Sequence, residues 1–168
     1  DVALENELKS DPKELAEHMM LVDLGRNDLG RVAVPGTVRV TRSEEIEGYS
    51  HVMHMVSEIR AKKRSEFDLF DVFTACFPAG TLTGAPKIRA MELIAKLEGS
   101  PRGIYGGAVG YFDLSGNMDF AIAIRTMLHK DGKVQLRTGA GIVFDSVPRL
   151  EHRECLHKAA GSLSALSL

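Results

Sequence analysis

Behind Asp11-Pro12, an acidic cap and a proline at the first helical position, the apolar residues Leu15, Met19 and Val22 recur at helical spacing. The pattern predicts a helix from Pro12 to about Arg26. Arg31–Val34 and Thr37–Thr41 read as short strands around the turn Pro35-Gly36. Tyr49–Arg60 is long and largely apolar, and the alternation of Val52, His54 and Val56 with Met53 and Met55 predicts a strand covered on both faces. Asp68 to Cys76 is expected to be helical, ended by Pro78-Ala79-Gly80. The small-residue loop Gly80–Lys87 then runs into a helix that begins at Pro86 and closes at Gly99.

Three strand-like segments follow, Gly107–Asp113, Met118–His129 and Lys133–Thr138. The turns Ser115-Gly116-Asn117 and Asp131-Gly132 join them, which predicts an antiparallel meander. A short strand at Ile142–Phe144 and a last helix, opened by Ser146 and Pro148 and running to about Leu166, complete the pattern. Helices mixed with antiparallel strands make the expected class α+β. No repeat, low-complexity stretch or linker divides the chain, so residues 1–168 are expected to act as one unit.

Composition sharpens the picture by exclusion. With 44% hydrophobic and 26% charged residues the chain is that of an ordinary globular protein, so global disorder is excluded. A net charge of −2 offers no basic field for nucleic acid or anionic lipid. No apolar run approaches the ~20 residues of a bilayer crossing, and the acidic start is unlike a signal peptide, so a cytoplasmic protein is expected. Cys76 and Cys155 stand too far apart and too few for a disulfide framework or a thiolate zinc site, and are expected to be buried thiols. The chain opens with Asp1 directly into structured-looking sequence, as a piece of something longer would.

Candidate chemistry sits at several places. Glu14 and Glu17 on the first helix, and Glu151 and Glu154 on the last, are each spaced i,i+3 and share a helical face. Two such faces brought together would offer four hard oxygen ligands suited to Mg²⁺, with water and a substrate carboxylate completing the shell. The plain alternative is a solvated helix face. Lys158, one turn past Glu154, is either an anion ligand or an ordinary i,i+4 ion pair. Gly80–Lys87 places a hydroxyl and open amides ahead of a helix start, an anion pocket or a structural turn; its spacing is not that of a Walker loop. Gly139-Ala140-Gly141 invites close approach of a ligand to the backbone, or is a bulge. Arg125, inside the apolar run Phe120–Ile124, needs an anionic partner from protein or ligand. His54 reads from pattern alone as a core residue. Asp23, Arg26, Asn27 and Asp28 form a polar cluster at a helix end, explained by capping and a buried ion-pair network as well as by catalysis.

Taken together, these segments resemble one family. They are Glu14-Leu-Ala-Glu17 running on through Asp23-Leu-Gly-Arg26-Asn27-Asp28, Tyr49-Ser-His-Val-Met-His54, Gly80-Thr-Leu-Thr-Gly-Ala-Pro-Lys87, Tyr105-Gly-Gly-Ala-Val-Gly-Tyr111, Ile122-Ala-Ile-Arg125, and Gly139-Ala-Gly141 with Glu151-x-x-Glu154-x-x-x-Lys158. The likeness is to the chorismate-using enzymes, and among them to anthranilate synthase component I. It runs end to end and represents only the C-terminal part of that family's catalytic chain. It implies a chorismate-binding α/β sandwich of antiparallel sheets with helices packed outside.

The resemblance also implies roles. Glu17 and Glu154, with Glu14 and Glu151 as nearby or water-bridged partners, would hold Mg²⁺, which neutralises the ring carboxylate of chorismate. Thr81, Tyr105, Arg125, Gly139, Ala140, Gly141 and Lys158 would line the substrate pocket, with Arg125 suited to the enolpyruvyl carboxylate. His54, in place of the core role, would serve the elimination of pyruvate as a positioned proton carrier, with Thr81 beside the chemistry. The implied reaction is chorismate plus ammonia to anthranilate plus pyruvate, the first committed step of tryptophan biosynthesis, with ammonia from a glutamine amidotransferase. Val109 and Tyr111 are candidates for a remaining wall of a tryptophan-inhibition pocket. One departure is His157, where the family typically has Asn, a change expected to bear on hydrogen bonding beside Lys158 without unseating the assignment. The rival readings are aminodeoxychorismate synthase component I, isochorismate or salicylate synthase, and a catalytically silent fragment that binds carboxylates or metal.

Overall fold

The computed structural model describes Glu5, residues 8–48 and residues 53–166. The chain divides into two compact units, Asp1–Met91 and Glu92–Leu168.

In the first unit, α1 spans Pro12–Gly30, with Pro12 at its first position. The Asp11 carboxylate caps it, accepting from the backbone N–H groups of Lys13 at 2.8 Å and Glu14 at 3.2 Å. The helix runs past the expected end at Arg26 because the polar cluster does not break it. Asp23 and Arg26 pair at i,i+3 across 2.9 Å, and Asp28 turns inward. Arg31–Val34 is correspondingly not a strand. The amides of Arg31, Val32 and Ala33 close back on Asp28 and Leu29, leaving a single bridge from Ala33 to Lys63.

Strands β1 (Arg39–Gly48) and β2 (Met53–Arg60) pair antiparallel, from Arg39 opposite Arg60 to Gly48 opposite Met53. Strand β1 thus begins inside the expected Thr37–Thr41 segment and runs well beyond it. Of the expected strand Tyr49–Arg60, residues 49–52 lie outside the described residues. The remainder is half-buried almost throughout, consistent with the apolar alternation. Helix α1 packs on β2, and Gly25 allows the approach, because a Cβ there would lie 2.7 Å from Ile59 Cδ1. Helix α2 (Leu69–Cys76) starts at a reciprocal Asp68–Asp71 capping box. A 3₁₀ turn at Gly80–Leu82 precedes α3, Lys87–Leu97, whose residues from Glu92 onward belong to the second unit. The core of this unit is Val22, Leu24, Val32, Ala33 and Ala75.

In the second unit, β3 (Ala108–Phe112) and β4 (Met118–Ile122) form one hairpin, and β5 (Met127–Lys130) and β6 (Lys133–Leu136) another. The expected strand Met118–His129 is therefore two strands. At the break Arg125 takes φ 51° and the Ile124 amide folds back on Ile122 O, so the ladder cannot continue. The meander becomes two separate hairpins. Asp131-Gly132 is a turn with both φ positive, at 52° and 68°, as the Asp-Gly signal predicts. Ile142–Phe144 is not a strand, because the Val143 amide donates to Ser146 Oγ in a turn. Helix α4 (Pro148–Ser164) follows. Helices and antiparallel hairpins make the fold α+β, as expected. Both cysteines are half-exposed rather than buried. Several large apolar side chains, among them Ile88, Leu97, Val109, Leu114, Ile142 and Phe144, stand exposed.

Candidate functional site

Each unit gathers part of the predicted site. In the first, Glu14 and Glu17 lie half-buried on the opening turns of α1. His18, beside Glu17, is 2.7 Å through Nε2 from Ser57 Oγ, which ties α1 to β2 three residues from His54. His54 is half-buried and stands opposite Glu47 in the hairpin register. The 3₁₀ turn that carries Thr81 packs on the same helix, where a Cβ at Gly80 would lie 3.0 Å from Leu24 Cβ. Helix α1 therefore positions the glutamate pair, the histidine strand and the Gly80 loop together.

The Gly80–Lys87 loop is less open to an anion than its sequence suggests. The amides of Leu82 and Thr83 donate to Ala79 O and Gly80 O within the 3₁₀ turn, and the Thr83 hydroxyl donates to the same carbonyls. Lys87 donates to Asp28 Oδ2 at 2.7 Å and to Pro78 O at 2.8 Å, so its charge is committed to the fold. Helix α3 starts at Lys87, with Pro86 as the residue before it accepting from Ala90 N. Thr81 is exposed, and of the two threonines it is the one whose hydroxyl remains for a ligand. Cys76, half-buried near Asp28, has its thiol pushed up by burial and next by that carboxylate.

In the second unit, Lys158 joins two candidate elements. Its ammonium is 2.6 Å from Glu154 Oε1 and donates to Gly139 O at 3.2 Å. The i,i+4 ion pair foreseen as the plain alternative is thus real, and the same lysine also holds the Gly139–Gly141 turn. The Thr138 hydroxyl donates to Cys155 O and secures that turn to α4. Tyr105 reaches the turn from the other side, since a Cβ at Gly139 would lie 2.8 Å from the phenol oxygen. Burial is the main cause that raises the Tyr105 phenol above the ordinary tyrosine range. Glu151, one turn before Glu154, is buried at 5% exposure. Tyr105, Gly139, Ala140, Gly141, Glu154 and Lys158 therefore occupy one neighbourhood.

Arg125 departs from its expectation. It is exposed at the break between β4 and β5, with left-handed backbone, and is not a guanidinium buried in an apolar strand. The isolated-strand argument for an obligatory anionic partner does not apply there. Sequence reasoning missed Glu98, which holds both Arg102 and Arg137, with Arg102 next to the Tyr105 ring. Only the i,i+4 spacing of Glu98 and Arg102 signalled any of this.

Among the described residues, neither unit by itself gathers three or more His, Cys, Asp or Glu side chains in a metal-holding cluster. Each supplies a glutamate pair. Among the described residues no helix is long and apolar enough to cross a membrane.

Comparison with known proteins bears on the whole chain. A sequence model of the chorismate binding enzyme family matches residues 1–164. Anthranilate synthase component 1 of Streptomyces coelicolor is 57% identical over 166 residues, covering 99% of this chain and 32% of that protein. The same component of Aquifex aeolicus is 54% identical over 168 residues, 100% of this chain and 34% of that protein. The crystal structure of anthranilate synthase component I from Streptococcus pneumoniae superposes with a TM-score of 0.89 at 48% identity, over 96% of this chain and 37% of that one. A putative 2,3-dihydroxybenzoate-specific isochorismate synthase from Bacillus anthracis superposes with a TM-score of 0.88 at 27% identity, over 100% of this chain and 44% of that one. The chain spans about a third of the length of the curated relatives it matches.

Proposed function

The chain belongs to the chorismate-binding enzyme family, and we propose that it carries part of the active site of an anthranilate synthase, which takes chorismate and ammonia to anthranilate and pyruvate. The observation that carries this reading is the 57% identity over 99% of the chain to an anthranilate synthase component. Shape alone does not choose the reaction, since TM-scores of 0.89 and 0.88 accompany two different chemistries. The identities of 48% and 27% favour the first.

In this reading Arg125 takes the enolpyruvyl carboxylate with its planar fork. Tyr105, Gly139, Ala140, Gly141 and Lys158 line the pocket and orient the ring. The Thr81 hydroxyl holds a substrate oxygen. His54 moves the proton in the second half-reaction, when loss of the enolpyruvyl group as pyruvate makes the aminated ring aromatic.

The two i,i+3 glutamate pairs are hard oxygen donors, a set that fits Mg²⁺. Glu14, Glu17, Glu151 and Glu154 are the residues that would hold it. When bound, Mg²⁺ supplies electrostatic neutralisation of the ring carboxylate. Ammonia would come from a glutamine amidotransferase partner, in the cytoplasm, as the first committed step of tryptophan biosynthesis.

The test is turnover by the full-length protein with chorismate, ammonium and Mg²⁺, followed by anthranilate fluorescence. Anthranilate and equimolar pyruvate are expected. Isochorismate, salicylate or aminodeoxychorismate as the product would overturn the reading. The 168 residues alone should turn over poorly, because they span only about a third of the length of the relatives that carry the activity by name.

A further inference from the structure

Glu98 lies just past the end of α3 and holds two arginines at once. Its Oε1 is 2.6 Å from Arg102 Nη2, with Arg102 Nε at 3.1 Å and 3.0 Å from the two carboxylate oxygens. Its Oε2 is 2.7 Å from Arg137 Nη2, thirty-nine positions away in sequence. Arg137 also donates through Nη1 to Pro101 O at 2.7 Å, so one guanidinium spans the carboxylate and the backbone beside it.

Both arginines lead to the pocket. The Arg102 guanidinium lies 5.7 Å from the ring centroid of Tyr105. Arg137 directly follows β6 and precedes Gly139 by two residues, and the Gly139 backbone meets the Tyr105 phenol with no room for a methyl group. The Arg102 hydrogen bond is the main cause that holds the Glu98 carboxyl below the usual range, so the cluster is ionised at neutral pH.

We propose that Glu98 is a positioning residue for the substrate pocket: by gripping Arg102 and Arg137 together it fixes the spacing between Tyr105 and the Gly139–Gly141 turn. The inference rests on the functional reading above, which makes those two elements the walls around chorismate. Geometry and charge make opposite demands here, which renders the role testable. Glu98→Gln removes a negative charge beside a pocket for a dianion. If the cluster acted only through its field, binding would tighten. If it acts through spacing, binding weakens.

The experiment is steady-state kinetics of the full-length protein with chorismate and ammonium at saturating Mg²⁺. Glu98→Gln is expected to raise KM for chorismate about tenfold, with kcat changed less than twofold. Arg137→Lys keeps the charge but loses the two-pronged bridge, so it should shift KM in the same direction, and it decides the matter if Glu98→Gln does not fold. An unchanged or lowered KM in the folded variant would overturn the inference. No turnover by the unaltered protein sinks the functional reading and the inference with it, whereas turnover with an unmoved KM in the variants sinks the inference alone.

Discussion

Two lysine–carboxylate pairs, one in each unit, share the same ion-pair chemistry and differ in what surrounds them. Lys87 and Asp28 meet at 2.7 Å with side chains only 15% and 8% exposed, and Lys87 also bonds the Pro78 carbonyl. Lys158 and Glu154 meet at 2.6 Å with 38% and 36% exposure, one helical turn apart. The first pair joins residues 59 positions apart and pins the start of α3 to α1. Removing one member would leave an uncompensated charge in a largely desolvated place. The second pair is solvated on one side, adds little to stability, and can exchange its partners for a ligand. A charged pair near a candidate site is therefore structural when both partners are desolvated and long-range. It is available for function when it is local and half-wet.

That contrast predicts the largest effect at the buried pair. Lys87→Met or Asp28→Asn should lower unfolding free energy by about 3–5 kcal/mol in chemical denaturation. A loss below about 1 kcal/mol would show the pair to be no more structural than its counterpart. Lys158→Met should behave oppositely, with stability moved by no more than about 1 kcal/mol. Its KM for chorismate should rise about tenfold, roughly 1.4 kcal/mol of binding. Unfolding of Lys158→Met at ordinary temperatures would erase the distinction.

Gly139→Ala probes the turn that Lys158 holds. The new methyl would sit 2.8 Å from the Tyr105 oxygen, so one of the two must move. Chorismate affinity should fall, and Tyr105→Phe added to it should recover part of the loss by removing the clashing oxygen. Strictly additive losses in the double variant would show that the two residues do not touch.

The smallest effects are in pH. The carboxyl of Glu98 is lowered, first by its hydrogen bond to Arg102, so its stabilisation is present above the ordinary glutamate pKa and fades as pH falls through the folded value. The Tyr105 phenol is raised, first by burial, so its contribution is present below the ordinary tyrosine pKa and fades as pH rises through the folded one. NMR titration should find Tyr105 ionising above the ordinary tyrosine range, and Arg102→Met should raise it further. A Tyr105 that titrates within the ordinary tyrosine range contradicts its placement.

The sequence made legible whatever is decided locally. Asp11-Pro12 starts a helix because the cap and the proline act within one turn. Asp68 starts another for the same reason. The Asp131-Gly132 turn follows from two residues that tolerate positive φ. What escaped depends on distant partners or on backbone geometry. Nothing in the apolar run around Arg125 announces that its backbone turns left-handed there and ends the strand. The commitment of Lys87 to Asp28, and the meeting of Arg137 with Glu98, join residues that no spacing rule connects. The glutamate pairs, Tyr105, Gly139–Gly141 and Lys158 were legible as candidate site residues only through resemblance, because each feature alone fits an ordinary helix face or turn.

We propose that Glu17 and Glu154 each contribute to Mg²⁺-dependent binding of chorismate. Calorimetric titration of chorismate into the full-length protein, with and without Mg²⁺, tests it most directly in the unaltered protein and in Glu17→Gln and Glu154→Gln. The expected result is binding that needs Mg²⁺ in the unaltered protein and is abolished by either substitution while each variant stays folded. Binding of equal strength with and without the metal, or a variant that keeps its Mg²⁺ dependence, would contradict it.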